Sequence, residues 1–286
     1  MPGREIVAGL DIGTTKVCTI IAEVGQGDEV EVVGVGLAPS RGLRKGLIVD
    51  LDNATAAVEE AVERAEHMAG FPVEAVYVGV AGAHISSLNS HGIVAVSRED
   101  REITERDVER VLEAAKVVAI PPDREILHVL PQGYTIDGCH GIRSPVGMIG
   151  IRLEVDTHII VGSATSLQNV VRSVERTGLR IEERVLQPLA SGEAVLTPEE
   201  KDMGVAVVDI GGGTTDIMVF SEGSVRHTTI LPVGGNHITN DIAVGLKIPF
   251  QEAEDLKKRY GYAMARMAGE EAAATMEEGL KRRSGP

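Results

Sequence analysis

The sequence predicts a mixed α/β protein built from two similar domains. Two segments, beginning at Ile6 and at Gly204, each consist of an apolar strand ending in Asp-Ile-Gly, a turn of Gly and Thr, and a second apolar strand. A third strand follows each pair, so each segment predicts a three-stranded meander. The aspartates near the ends of the first strands, Asp11 and Asp209, are 209 − 11 = 198 residues apart. That spacing is too long for a solenoid repeat and suits two domains.

The composition is that of a globular protein with an acidic surface. The 286 residues are 43% hydrophobic and 25% charged, which is enough for a sizeable core. The formal net charge of −15 disfavours nucleic acid as a partner, because the phosphate backbone would be repelled. Cys18 and Cys139 match no C-x-x-C spacing, so we expect free thiols, with Cys18 buried in a strand.

Helices and strands alternate between the two meanders. Residues 51–70 predict a helix capped by Asp52 or Asn53. Residues 103–116 predict another helix, in which Thr104 and Asp107 form a capping box. Further strands are predicted over 73–82, 124–138 and 149–163, a helix from Ser163, and two helices within 236–261 that are broken at Pro249. Such helix–strand units favour sheets covered by helices.

The two Gly/Thr turns predict a nucleotide site. A tight turn of this composition exposes several backbone N–H groups in a concave nest that holds phosphate oxygens, and glycine lets the phosphate approach closely. An aspartate beside each turn can hold Mg²⁺ through the waters of the metal. Two such turns facing one another across a cleft would bind the phosphate tail of a nucleotide from both sides. Lys16 would supply positive charge to that tail.

These motifs resemble those of a known superfamily. The stretches DIGTTK (11–16) and DIGGGTTD (209–216) are similar to the two phosphate motifs of the actin, heat-shock chaperone and sugar kinase superfamily. Other stretches, among them LPQGYTIDG, VLQPLASGEAVL and HTTILPVGGNHITNDIAVGL, resemble the FtsA family of bacterial cell-division proteins over roughly residues 4–263. The resemblance implies an actin-like (ribonuclease H-like) two-domain fold with an inserted subdomain of the FtsA type.

The resemblance also implies domain boundaries. We expect residues 1–82 to form the N-terminal part of the first domain, 83–162 the inserted subdomain, 163–186 the rest of the first domain, 187–235 the second domain with its phosphate loop, and 236–286 a helical part of that domain. Residues 264–286 form a polar, helix-like tail where family members continue differently. We therefore expect this chain to be C-terminally incomplete and to lack the second adenosine motif and the terminal amphipathic membrane helix.

The resemblance assigns roles to individual residues. Asp11 would position Mg²⁺, with Asp209 near the metal. Gln187 resembles the position that orients the attacking water, and Gln187 and Asp209 are the expected catalytic residues. Gln cannot act as a base, so we expect slow ATP hydrolysis at most. The remaining contacts to ATP would come from Gly13, Thr14, Thr15 and Lys16 in the first phosphate loop, Gly212, Gly213 and Thr214 in the second, Gly234, Gly235 and Asn236 at the sugar and base, and Glu254, Lys257 and Lys258 in the adenosine pocket.

Several of these residues also have a purely structural interpretation. Lys257 and Lys258 could form a solvated helix end that is favourable to the helix dipole, and Glu254 and Lys258 are an i,i+4 pair. Gln187 precedes Pro188 and could simply lie before a helix. A basic run, Arg41, Arg44 and Lys45, predicts an exposed loop.

The function implied by the resemblance is that of an ATP-binding division protein. Full-length relatives tether FtsZ filaments to the inner face of the cytoplasmic membrane at the division site and self-associate into actin-like filaments. They also recruit later division proteins through the inserted subdomain, and they reach the membrane only through the C-terminal helix. Two alternatives stay open on the same fold: a pilus-assembly actin homologue and a small-molecule kinase. A chaperone ATPase is disfavoured by the inserted subdomain and Gln187.

Overall fold

The computed structural model describes residues 5–25 and 29–267, so most of the predicted polar tail lies outside the described residues. The chain divides into two compact units, Met1–Pro232 and Val233–Pro286. The strands are β1 (Glu5–Ile12), β2 (Lys16–Val24), β3 (Val30–Pro39), β4 (Leu43–Arg44), β5 (Leu47–Ile48), β6 (Ala75–Val80), β7 (Ser86–Ala95), β8 (Arg124–Ile136), β9 (Cys139–Ile142), β10 (Arg152–Ser163), β11 (Arg180–Leu186), β12 (Val205–Ile210), β13 (Thr215–Ser221) and β14 (Ser224–Leu231). The helices are α1 (Leu51–Ala69), α2 (Glu105–Ala115), α3 (Ala164–Glu175), α4 (Gln187–Val195), α5 (Pro198–Met203), α6 (Gly235–Leu246) and α7 (Phe250–Tyr260), followed by a 3₁₀ turn, Ala265–Met267.

The first meander lies within a five-stranded sheet of order β11-β6-β1-β2-β3. β1 and β3 run antiparallel to β2, whereas β6 runs parallel to both β1 and β11. Helix α1 packs closely on β3, because Gly36 carries no Cβ: a Cβ there would lie 1.8 Å from the carbonyl oxygen of Ala61. The core beneath this helix is aliphatic and includes Val17, Ile21, Val58, Val76 and Val78.

The segment between β6 and α3 forms a second sheet, of order β7-β10-β8-β9. Helix α2 packs on it, and its predicted capping box is confirmed: the Asp107 carboxylate accepts a hydrogen bond from the backbone N–H of Thr104 at 3.1 Å. The fully buried side chains Ile103, Val111 and Leu153 belong to a separate small core. This segment therefore has its own sheet and its own apolar core.

The second meander is a sheet of order β12-β13-β14. Met218 and Phe220 of β13 face inward, whereas Val208 and Ile210 of β12 are exposed. Within the described residues, the outer edge of β12 pairs with no further strand. This edge is the counterpart of the β1 edge that pairs with β6 in the first sheet.

The inserted sheet contacts β14 through polar side chains. The Ser87 hydroxyl donates to the carbonyl of Thr228 at 3.0 Å, and the Gln132 amide donates to the carbonyl of Val225 at 2.8 Å. Between them lies the buried ring of His158, whose Nε2 is 3.0 Å from the hydroxyl of Thr228. Hydrogen bonds therefore join the inserted sheet to the second meander.

The unit Val233–Pro286 contains α6 and α7, and the break at Pro249 is confirmed because Pro249 is the N-cap of α7. The predicted cap of α1 is wrong by two or three residues. Asp50 is the N-cap, since its carboxylate accepts a hydrogen bond from the N–H of Asn53 at 3.0 Å. No helix in the described ranges combines the length and the apolar character that crossing a membrane requires.

Both cysteines are free thiols, as expected, but Cys18 is only half-buried and Cys139 is exposed. The prediction that Cys18 is buried is therefore wrong, although its place in a strand is confirmed. Its strand position explains the difference: Cys18 lies opposite Asp11 in the β1–β2 register, on the face of the sheet that lines a cavity.

Candidate functional site

The two Gly/Thr turns have the same hydrogen-bonded geometry. The N–H of Gly13 donates to the carbonyl of Lys16 at 3.0 Å, and the N–H of Gly211 donates to the carbonyl of Thr214 at 2.9 Å. The donors and the acceptors are each separated by the same 198 residues as the two aspartates. Each turn therefore presents two residues at its tip, at 14–15 in the first and 212–213 in the second.

The tips of the two turns contact each other. A Cβ on Gly213 would lie 2.8 Å from Oγ1 of Thr14, so glycine is required at this position for the turns to meet as they do. Together they line one crevice of about 360 Å³. Its walls also include Gly46, Ala81 and Gln187, and the turn residues that line it are Asp11, Ile12, Gly13, Thr14, Thr15, Lys16, Asp209, Ile210, Gly211, Gly212, Thr214 and Asp216.

Three carboxylates make the crevice acidic. Burial raises the pKa of Asp11, and the Asp209 carboxylate raises it further, while Lys16 and the Gln187 amide oppose the shift. Burial also raises the pKa of Asp216 to about 6, again with a contribution from Asp209. Both shifts arise mainly because burial disfavours the charged carboxylate, and the nearby Asp209 carboxylate adds to each.

Asp216 has no role in the sequence prediction, although it lies directly opposite Asp209 in the β12–β13 register. It is 3% exposed, and its Oδ1 has no hydrogen-bond partner among the described residues. The sequence signal was its place in the second motif, DIGGGTTD, which puts Asp216 two residues after Thr214. Reading β13 as an inward-facing strand with period two would have placed Asp216 on the buried face with Met218.

Gln187 is the first residue of α4, and its amide donates to Oδ1 of Asp11. Gly79 on β6 makes room for it, because a Cβ there would lie 3.2 Å from Cγ of Gln187. One turn further along α4, the Ser191 hydroxyl lies 3.5 Å from Oδ2 of Asp209. The start of α4 thus places an amide and a hydroxyl against the carboxylates of both meanders.

A second cavity of about 480 Å³ adjoins the crevice and shares Asp11, Gln187 and Asp209 with it. Its other walls are mostly apolar and include Cys18, Tyr77 and Ala190. In the described part of the chain, no three His, Cys, Asp or Glu side chains are grouped closely enough to hold a metal ion by direct ligation alone.

The other predicted site residues lie in the second unit. The Lys257 ammonium donates to the carbonyl of Gly235 at 3.1 Å and pairs with Glu254 at 2.6 Å. Hydrogen bonds from Lys257 and Thr239 lower the pKa of Glu254. Lys258 is mostly exposed and lies 3.5 Å from the same carboxylate. Gly235, Glu254 and Lys257 are therefore brought together, with Gly234 and Asn236 at the start of the same helix α6.

Comparison with known families agrees with the resemblance seen in the motifs. Residues 82–161 match the family model "SHS2 domain inserted in FTSA", and residues 206–284 match the model "Cell division protein FtsA". The cell-division protein FtsA of Pseudomonas aeruginosa is 48% identical over 265 residues, which is 93% of this chain and 63% of the relative. The chain belongs to the FtsA family.

Other FtsA proteins are similarly close. The Bacillus subtilis protein is 44% identical over 271 residues, covering 95% of this chain and 61% of its own length. The Escherichia coli protein is 42% identical over 268 residues, covering 94% and 63%. The chain therefore spans somewhat less than two thirds of the length of these relatives.

Solved structures support the fold class. A PilM–PilN type IV pilus biogenesis complex contains a chain that matches with a TM-score of 0.69 at 16% identity, covering 98% of this chain and 76% of that one. The ethanolamine utilization protein EutJ from Carboxydothermus hydrogenoformans matches with a TM-score of 0.53 at 20% identity, covering 99% and 68%. The predicted α/β actin-like fold is confirmed. At these identities the similarity concerns the fold alone.

Proposed function

We propose that this chain is the nucleotide-binding part of an actin-like cell-division protein and that its ligand is Mg-ATP. The observation that carries the proposal is the contact between the two phosphate-type turns, which line one crevice together with the carboxylates of both meanders. Backbone N–H groups at such turns bind phosphate oxygens. Because Gly213 has no side chain, the second turn can lie close to the first.

The residues present in the crevice fit Mg²⁺. This ion prefers hard oxygen ligands, keeps several waters and uses one or two carboxylates together with substrate phosphates. Asp11 and Asp209 supply such carboxylates, and the unpartnered Oδ1 of Asp216 adds another acceptor for a bound water. Mg²⁺ held by Asp11 and Asp209 would offset part of the Asp209 charge that, after burial, raises the pKa of Asp11, and it would supply positive charge for the phosphates.

We further propose that hydrolysis is slow. The amide of Gln187, held by Asp11 and placed by the first turn of α4, can orient a water but cannot remove its proton. Bound ATP would then act mainly by holding the two turns together. In the second unit, Gly234, Gly235, Asn236, Glu254, Lys257 and Lys258 are proposed to contact the sugar and base.

For the whole protein we propose the role implied by family membership. It would link FtsZ filaments to the inner face of the cytoplasmic membrane, self-associate into actin-like filaments and recruit later division proteins through the inserted sheet, residues 83–162 in the boundaries predicted above. The match of residues 82–161 to the model "SHS2 domain inserted in FTSA" and the 48% identity to an FtsA protein support this role, whereas the pilus biogenesis structure matches at 16% identity.

Calorimetric titration with ATP in the presence and absence of Mg²⁺ tests the nucleotide proposal. We expect Mg-dependent binding that Asp11→Asn weakens at least tenfold, because the variant loses a charged metal partner. Asp123→Asn is a matched control, since Asp123 is an exposed aspartate outside the crevice. Binding of equal strength in wild type and Asp11→Asn would contradict the proposal.

Co-sedimentation with purified FtsZ, with and without ATP, tests the partner. The protein used is a full-length FtsA relative in which this chain replaces the matching segment. We expect it to co-sediment with FtsZ but not to bind an inner-membrane pilus-assembly peptide. Retention of the peptide alone would favour the pilus alternative. Phosphorylation of a small-molecule acceptor would favour the kinase alternative.

A further inference from the structure

The hairpin formed by β4 and β5 places a lysine at the phosphate crevice that the family comparison leaves without a role. Its strands pair Leu43 with Ile48 and Arg44 with Leu47, which leaves Lys45 and Gly46 as the tip. Both tip residues have positive φ, 52° for Lys45 and 74° for Gly46. Two successive positive-φ residues are typical of a tight type I′ hairpin turn. A lysine in this conformation is uncommon and is kept only where the surroundings determine the backbone.

The tip contacts both phosphate turns. The N–H of Gly46 donates to Oγ1 of Thr14 at 3.2 Å. On the other side, the Cα of Lys45 lies 3.0 Å from the place where a Cβ of Gly213 would stand. The backbone of Lys45 is therefore fixed where the two turns meet, and Gly46 itself lines the crevice.

Two lysines near the crevice make no direct ion pair with a described residue, which leaves them available to a polyphosphate. The side chain of Lys45 is exposed and makes no ion pair with any described residue, although many basic residues of this acidic chain do so. Lys16 is the other lysine at the crevice and is likewise without an ion pair in the described ranges. Lys16 lines the crevice and the backbone of Lys45 is fixed beside it, so two lysines without a direct ion pair to a described residue border the two N–H nests. This arrangement suits a ligand with several negative charges.

We propose that Lys45 is a phosphate-binding residue. In addition to the two turns, its side chain contacts the polyphosphate chain between them. The proposal rests on the proposed nucleotide function and adds a ligand residue to the same site. The αL backbone of Lys45 and the bond from Gly46 to Thr14 hold the start of this side chain in place, so little ordering of the backbone is needed on binding.

The test compares Lys45→Asn, Lys45→Arg and the control Arg41→Asn. Asn tolerates positive φ and removes the charge, whereas Arg keeps the charge. Arg41 is an exposed basic residue of the same run. Binding of Mg-ATP, inorganic tripolyphosphate and adenosine is measured by calorimetry, and folding is checked by thermal unfolding.

We expect Lys45→Asn to weaken ATP and tripolyphosphate about tenfold, the effect of one charge-assisted hydrogen bond, and to leave adenosine unchanged. Lys45→Arg should bind within about threefold of wild type, and Arg41→Asn should match wild type. Equal losses in Lys45→Asn and Arg41→Asn would overturn the proposal while leaving the nucleotide function intact. A wild-type chain that binds neither ATP nor tripolyphosphate would overturn both.

Discussion

Lowering the pH should weaken the contact between the inserted sheet and the second meander, because His158 is buried there as a neutral ring. Its Nδ1 lies 2.8 Å from Oδ1 of Asn89 and its Nε2 lies 3.0 Å from the hydroxyl of Thr228. The Oδ1 of Asn89 accepts a hydrogen bond from the N–H at Nδ1, so the neutral ring can accept a hydrogen bond from the Thr228 hydroxyl at Nε2. Burial lowers the pKa of His158 to about 4, and the neighbouring His227 adds to the effect.

The magnitude follows from the difference between the two states of the chain. An unfolded histidine has a pKa of about 6.5, so between pH 6.5 and 4 the unfolded chain binds a proton that the folded chain does not. The contribution of His158 to the free energy of unfolding is therefore complete above pH 6.5 and is lost as the pH is lowered toward 4. At about 1.4 kcal/mol per pH unit, His158 should contribute a loss of about 2 kcal/mol between pH 7 and pH 5.

The assay is urea unfolding of wild type and His158→Gln between pH 8 and pH 5. Glutamine can hydrogen-bond to Asn89 and Thr228 but does not titrate, so the difference in unfolding free energy should shrink by about 2 kcal/mol on going from pH 7 to pH 5. Asp216, with its pKa raised to about 6, contributes the opposite trend in both proteins and cancels in the difference.

His67→Gln on the exposed face of α1 is the control and should show no such pH dependence. A difference between wild type and His158→Gln that stays constant over this range would refute the reasoning.

Two further predictions concern packing and capping. Gly36→Ala should destabilise the first sheet by about 3 kcal/mol or more, measured by urea unfolding, because its Cβ would meet the Ala61 carbonyl at 1.8 Å; Gly133→Ala, with no atom near its Cβ, should be close to neutral. Asp107→Ala should lower the free energy of unfolding by about 1–2 kcal/mol. The backbone N–H of the N-cap Thr104 would lose its acceptor, and Arg110 would lose its ion pair at 2.9 Å. Amide hydrogen exchange should localise that loss to α2, and unchanged protection there would contradict the assigned cap.

The sequence was most informative where one pattern occurred twice. Because the register of a hairpin is fixed by its turn, the repeated Asp-Ile-Gly predicts equivalent positions for Asp11 and Asp209. The alternation of apolar residues predicted β1, β2, β12 and β13, and the capping box predicted the start of α2. These features depend on residues close together in the chain.

Other parts of the site depend on contacts between distant segments. The basic run predicted only an exposed loop, and nothing in Lys45 itself indicates that its backbone touches Gly213, 168 residues later. Asp216 was visible in the second motif, but its burial depends on the packing of the second meander. The cap of α1 was misplaced because Asp50, Asp52 and Asn53 are all good capping residues, and the backbone bend selects Asp50.

The contact between Thr14 and Gly213 restricts how the two copies of the motif can diverge. Any side chain at 213 would need space that both the Thr14 side chain and the backbone of Lys45 occupy, so position 213 admits only glycine while these two stay in place. Although nearly two hundred residues separate them, the residue allowed at 213 is therefore set by the packing of the first turn and its neighbouring hairpin. In the duplicated motif, the first turn can carry Thr14 at this contact because the second turn carries a glycine there.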